Sequence, residues 1–538
     1  MSPPAVERHA AAATGAMMRP ATPGDIRDML ADGAEVAVID LREELIFSQG
    51  HMLCARSLPL SRLEMRIARL VPRRTTRIVL CDDLDGLAWR AAAILERCGY
   101  DNLFVLSGGV QACGQAGLEL FSGINVPSKA FGEFVEHASE TPSIAADELD
   151  RLMRDGADLV VLDSRPFDEY SRMSIPTAIN VPGAELVLRV HDTVPSADTI
   201  VVVNCAGRTR SIIGAQSLIN AGVPNRVVAL RNGTMGWNLA GLTCESRKDR
   251  RAPAVSVAGL AFAKSAAERV ASRFGIAHID RAMLERWRAD AERTLYLFDV
   301  RDPAEYAAGH VEGAVSAPGG QLVQATDQYV GTLGARIVVI DDAGVRAVMT
   351  ASWLRQMGFT DVFVLAEAGT ETGFPSPPVI GGEAPPALAV DAAALAGLME
   401  RGEATIVDLS LSRDYRRGHI AGAWFAIRSR LARALAAIAP HGTLVLTSED
   451  GILAGLAARE ASALVELPVR YLAGGNAAWQ AAGRPLAAGD DRMADDPVDV
   501  WLRPYERADN ITQAMNEYLA WEIDLLPRVT RDGSSGFV

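Results

Sequence analysis

The sequence predicts an α/β protein built as four tandem copies of one small domain, each a mostly parallel sheet flanked by helices. Three observations predict it. A β-branched run ending in Asp recurs at Asp40, Asp163, Asp299 and Asp408. Each run leads to a second apolar strand, a helix-compatible stretch and a third apolar strand. The Asp positions lie 123, 136 and 109 residues apart. That spacing far exceeds a solenoid unit of ~20–50 residues, so each copy should hold its own core.

The elements follow in order. The first strands read EVAVID, DLVVLD, YLFD and TIVD. The second strands read RIVLCDD, TIVVVNC, RIVVIDD and TLVLTSED, and the third LFVLSGG, VVALRNG, VFVLAEAG and VRYLAGG. Continuous Val/Ile/Leu runs alternating with helical periods indicate parallel strands buried on both faces. The expected domains are residues 20–126, 141–243, 276–373 and 384–487, with a tail at 488–538. Residues 127–140 and 244–275 read as polar helical linkers, and 374–387 as a Pro/Gly-rich one. In the tail, Asn510 with Gln513 suggests a capping box, and Ile511, Met515, Tyr518 and Leu526 a helical stripe. That tail reads as a helix docked on a domain, with partner binding as the alternative.

Bulk properties narrow the function. A net charge of −14 argues against nucleic acid or an anionic membrane as partner. No stretch is apolar for long enough to span a bilayer, and the first residues, with Glu7, Arg8 and His9, do not read as a secretory signal. Six cysteines at 54, 81, 98, 113, 205 and 244 show neither zinc spacing nor a disulfide framework. A reducing cytoplasm is the expected compartment. Abundant Ala and Arg suggest a bacterial genome.

In open parallel sheets, ligands bind outside the carboxyl ends of the strands. There, in the second copy, TIVVVN runs into CAGRTRS and then a helix. Cys205 therefore stands at a strand end beneath a helix N-terminus. The amides of Ala206, Gly207, Arg208, Thr209 and Arg210 can converge into an anion-binding nest. The helix dipole, Arg208 and Arg210 should favour the thiolate, and Gly207 a tight loop. The competing reading is an inert buried thiol, common for free cysteine.

These stretches, with DVRDPAEYAAGHVEGA, DYRRGHIAGA, LSGG and LAGGNAAW, resemble the rhodanese-like sulfurtransferases across nearly all of residues 20–487. The resemblance implies a Rossmann-like domain in which Cys205 carries sulfane sulfur as a persulfide. Residues 206–210 would then be its cradle, Arg210 would close the loop and Ser211 would start the helix. Asp163 and Arg165 match the family's D-x-R strand end, where an ion-pair role competes with a catalytic one. Glu169 would orient a loop arginine, and Trp237 would pack in the core or against the loop. Family members more often carry glycine three residues after the cysteine, where Arg208 stands; this leaves the donor open.

The implied reaction takes sulfur from thiosulfate or a low-molecular persulfide. It passes the sulfur to cyanide or to a thiol of glutathione, thioredoxin or another protein. No metal or organic cofactor is implied. Two alternatives stand beside it: a non-catalytic sulfur-relay or docking scaffold, and a phosphatase or arsenate enzyme. Phosphate-handling relatives have five residues between cysteine and arginine, against four here.

Counting back from Gly99, Gly222 and Gly358 places Asp82 and Asp341 at the cysteine position, with Cys81 opposite Asn204. Cys81 is expected to be buried and inert. Arg346 matches Arg210, whereas the fourth copy offers Thr447 and Ser448 with no cysteine or arginine. Those three copies read as scaffolding, docking or gating elements. His51, His310 and His419 lie in them and read as turn or core histidines. The second copy has RMSIPTA in place of that GHxxGA turn, so no histidine base is expected beside Cys205.

Overall fold

A computed structural model describes residues 18–538. The opening stretch read above for a signal lies largely outside them. Four five-stranded sheets run along the chain, and every strand pairing within them is parallel. Each sheet has the same order. In the second it runs Ser143–Ile144, Val227–Leu230, Ile200–Asn204, Leu159–Asp163 and Ile179–Asn180. The three central strands are the apolar runs read from the sequence. The two edges are only two or three residues long, too short to carry a pattern.

The repeats do not sit as beads. The second and third share one continuous core, from Phe131 and Leu162 through Val203 to Ile337 and Trp353. They meet so closely that a Cβ on Gly183 would lie 3.4 Å from the Gly320 Cα. The first and fourth are joined by Arg428, which donates to Glu64 at 2.9 and 2.7 Å, and by Ser429, which donates to Glu43 at 2.8 Å. Both sides of the Arg428–Glu64 pair are buried, so losing Arg428 would strand the Glu64 charge.

The segments between repeats are more than linkers. Residues 127–140 fall in the helix Val126–Ser139, which buries Val126, Ala130, Phe131, Glu133 and Val135. The reading of a polar spacer is corrected here: the helix is sandwiched, and its charges are consumed by partners. Within 244–275 only Val257–Phe274 is helical, and its small residues Gly259, Ala263, Ala266 and Ala267 are buried between repeats two and three.

The tail wraps the molecule. Leaving the fourth repeat, its Val498 carbonyl accepts from the Leu45 N–H at 3.0 Å, and its Trp501 N–H donates to Glu44 at 3.0 Å. A helix, Ile511–Asp532, then packs on Val126–Ser139. Its cap is not the predicted one. Asn510 takes a left-handed conformation (φ 52°) with no side-chain cap, and Gln513 donates to Glu517 instead. The buried stripe is Met515, Leu519, Glu522, Leu525 and Val529, whereas Ile511 is exposed and Leu526 only half-buried. No helix of the described residues is long and apolar enough to cross a membrane.

Candidate active site

Cys205 follows directly on Ile200–Asn204, and the loop after it is held from below by the next strand's turn. Thr234 N–H donates to the Cys205 carbonyl at 2.9 Å and Met235 N–H to the Ala206 carbonyl at 3.0 Å. Asn232 and Gly233 both adopt positive φ to make this turn. A Cβ on Gly233 would meet the Cys205 oxygen at 2.3 Å, so only glycine fits beneath the loop.

The helix begins at Thr209 rather than at Ser211. Ser211 lies in its first turn, where its hydroxyl donates to the Arg208 carbonyl at 2.7 Å. With that proton committed, the Cys205 thiol donates to Ser211 Oγ at 3.5 Å. The amides of residues 206–210 find no acceptor among the described residues. They belong to the loop that leaves Cys205, whose residue is 2 % exposed. Unpaired N–H groups at a helix start are the arrangement that receives an anion.

The two loop arginines part company. Arg210 donates to both oxygens of Glu169, at 3.1 and 2.8 Å. Burial would raise the Glu169 carboxyl, yet Arg210 and then Arg503 hold it down at about 2. Arg208 turns instead to the Val126–Ser139 helix, donating twice to Glu133 at 2.7 Å and also to Glu136 and Asn232. The potential it was expected to add at Cys205 is therefore offset by two carboxylates.

Gly207 has a different reason from the expected tight loop. Its φ is not positive; the space above it is taken by the tail. A Cβ there would lie 3.0 Å from Glu522 Oε2. Glu522 is fully buried, meeting Lys129 at 3.2 Å and the Tyr518 hydroxyl at 3.1 Å.

Asp163 and Arg165 form a buried pair at 2.6 Å, and Asn204 Nδ2 donates to Asp163 at 3.0 Å. The same pair recurs as Asp40–Arg42 and Asp299–Arg301, both at 2.6 Å. The pair thus recurs in copies that carry no cysteine at the Cys205 place. Trp237 stands apart from the loop, in the core with Ile144, Tyr170 and Val202, its indole donating to the Thr243 carbonyl at 3.1 Å. His51, His310 and His419 are buried, stacked on Phe47, Tyr306 and Tyr415, and bonded to backbone carbonyls. No cluster of metal-ligating side chains occurs among the described residues.

Strand register settles the loop alignment. Asp163 pairs with Asn204, Asp40 with Cys81, Asp299 with Ile340 and Asp408 with Thr447. Cys81 thus lies one residue before the Cys205 place, fully buried, and burial pushes its thiol well above the ordinary range. Asp82, Asp341 and Ser448 occupy the place itself.

Sequence reasoning missed the roof of the site. Lys129, Gln324 of the third repeat, and Trp501, Arg503, Tyr505 and Tyr518 of the tail all line the cavity over Cys205. The aromatic richness of the tail was the one local signal for them.

Comparison with known proteins places these observations. The model of the rhodanese-like domain matches residues 22–116, 145–240, 281–369 and 391–482. A crystal structure of thiosulfate sulfurtransferase from Pseudomonas aeruginosa is 47% identical, covers 97% of this chain and 99% of that one, and superposes with a TM-score of 0.93. A curated HTH-type transcriptional regulator of Mycobacterium tuberculosis is 30% identical over 118 residues, 20% of this chain. The chain spans about half the length of that relative, 51%.

Proposed function

The chain belongs to the rhodanese-like domain family, and from that premise we propose that it is a rhodanese-type sulfurtransferase whose sulfur carrier is Cys205. The observation that carries this reading is the run of unpaired amides from residues 206–210 that follows a strand-end thiol. The likeness to a thiosulfate sulfurtransferase over the whole chain supports it.

The reaction runs in two halves. Cys205 thiolate attacks the outer sulfur of thiosulfate; the S–S bond breaks and sulfite leaves with its electron pair. A persulfide remains on Cys205, its terminal sulfur negative. The amides of Ala206, Gly207, Arg208, Thr209 and Arg210 point donors at that charge without reorganising, the condition under which such groups stabilise best. Glu169 holds Arg210 in place beside the loop, and Ser211 Oγ, which accepts from the thiol at 3.5 Å, stands next to the sulfur. An acceptor thiolate or cyanide then attacks the terminal sulfur, releasing Cys205 thiolate. A low-molecular persulfide is the alternative donor for the first half, its own sulfur leaving as a thiolate. Glutathione, thioredoxin or another protein thiol serves the second half.

Asp163, Arg165 and Trp237 support the loop from the sheet without touching the reacting sulfur. The other three copies, whose loops hold Asp82, Asp341 and Ser448, serve as scaffold. Six unpaired thiols suit a reducing cytoplasm, and the named relatives suit a bacterial source.

Intact-mass measurement after incubation with thiosulfate tests the reading. The wild type should gain one sulfur and Cys205→Ser none. Sulfur retained by Cys205→Ser would move the carrier to another thiol.

A further inference from the structure

The cavity above Cys205 is small, about 30 Å³ of space for water-sized occupants, room for two or three waters. Four cationic side chains line it, Lys129, Arg208, Arg210 and Arg503, and no carboxylate does. The acids that balance them stand behind: Glu133 and Glu136 on Arg208, Glu169 on Arg210, Glu522 on Lys129. Positive ends therefore face inward and are held in place.

Arg503 differs from the other three. Its nearest carboxylate is Glu169 at 3.7 Å, and Glu169 is already bidentate to Arg210. Its one short contact is to a neutral group, donating to the Tyr505 hydroxyl at 2.9 Å. Arg503 is thus the least committed cation of the cavity. Across from the loop, Gln324 is 6 % exposed, and its side-chain oxygen has no partner. A buried polar group left unpaired on a cavity wall signals an occupant. Rotation of its carboxamide presents an NH₂ donor to that occupant.

We propose that the C-terminal segment completes the donor site: Arg503 and Gln324 bind the sulfonate end of thiosulfate over Cys205, while Tyr505 and Tyr518 exclude bulkier persulfides. This rests on the reading of Cys205 as sulfur carrier. It assigns a specificity role to a segment that lies outside all four repeats. A doubly charged ion of five heavy atoms is near the size of this cavity. A tripeptide persulfide is several times larger, and Trp501, Tyr505 and Tyr518 line the same cavity. Arg503 draws the sulfonate, leaving the outer sulfur directed at Cys205 and sulfite held by the same guanidinium as it departs.

The test compares sulfur loading of the full chain, wild type and variant, by thiosulfate and by glutathione persulfide. Arg503→Met should raise the KM for thiosulfate at least tenfold with kcat changed less than threefold. Arg503→Lys should recover part of that loss, which a merely structural role would not produce. The KM of the wild type should also rise with ionic strength, and that of Arg503→Met should rise less, since Lys129, Arg208 and Arg210 remain. Tyr505→Ala should speed loading by glutathione persulfide at least fivefold. An unchanged thiosulfate KM in Arg503→Met, or wild-type loading by glutathione persulfide as fast as by thiosulfate, overturns the proposal while leaving Cys205 as carrier. Failure of every donor to load wild-type Cys205 overturns both.

Discussion

The second and third repeats place the same loop on the same sheet and use it in opposite ways. In both, the second strand pairs with the Asp of a D-x-R pair one residue before the Cys205 or Asp341 place, and a helix follows. In both, an arginine in the first turn reaches a glutamate of the short helix, Arg210 to Glu169 and Arg346 to Glu305. In the third, however, Asp341 folds back on its own helix start. Its Oδ1 accepts from the Gly344 N–H at 2.6 Å and its Oδ2 from the Arg346 N–H at 2.9 Å. Asp82 accepts from Leu84 and Ala88 in the first repeat, and Ser448 from Ala454 in the fourth. A helix N-terminus is thus closed by its own side chain in three repeats and left open in one. The open one carries the thiol.

The largest effect should come from trying to convert one loop into the other. Asp341→Cys restores a thiol at the equivalent place, yet it should load sulfur from thiosulfate more than a thousandfold slower than Cys205. Arg346 there is shared among Glu185, Glu305 and Asp342, and the last of these adjoins the new thiol. Mass measurement in a Cys205→Ser background isolates the new site. Loading at a tenth of the Cys205 rate would mean that the thiol alone distinguishes the loops.

Next is the stability of the closed loop. Arg346 is 2 % exposed and joins the third repeat to Glu185 of the second at 2.8 Å. Arg346→Met leaves the buried Glu185 with Arg189, at 2.7 Å, as its remaining partner, and should cost about 1.5–3 kcal/mol by denaturant titration. A loss under about 1 kcal/mol would show that water replaces the arginine.

These contrasts were partly legible in the sequence. The central strands were, because long β-branched runs ending in Asp leave few alternatives. So was the position of Asp82, Asp341 and Cys205, since strand and helix lengths match between repeats. Edge strands such as Ile179–Asn180 were not; two residues have no periodicity. The roof of the site was hidden for a different reason. Lys129, Gln324 and Arg503 come from three separate regions, and nothing local marks a side chain for a cavity made by tertiary packing. The helix Val126–Ser139 looked like a solvated linker because Glu133 and Glu136 are charged. Their partner, Arg208, lies some seventy residues on and was itself read as a cradle cation.

The smallest predicted effect tests how the open loop is braced. The Glu169 carboxyl, held at about 2 by Arg210 and Arg503 against burial, lies below its usual value of 4.5. A depressed carboxylate lends stability that is complete above pH 4.5 and disappears as the pH falls through 2. The full shift corresponds to at most about 3 kcal/mol. Glu169→Gln keeps the shape and one acceptor but not the charge. It should be less stable than the wild type at pH 7, and the gap should narrow as the pH falls from 4.5 toward 2. The variant should also slow sulfur transfer severalfold, because Arg210 is then free to swing away from Cys205. A gap that stays constant across that pH range would mean that Glu169 braces Arg210 by shape and hydrogen bonding rather than by charge. The open loop would then depend on its carboxylate no more than the closed one does.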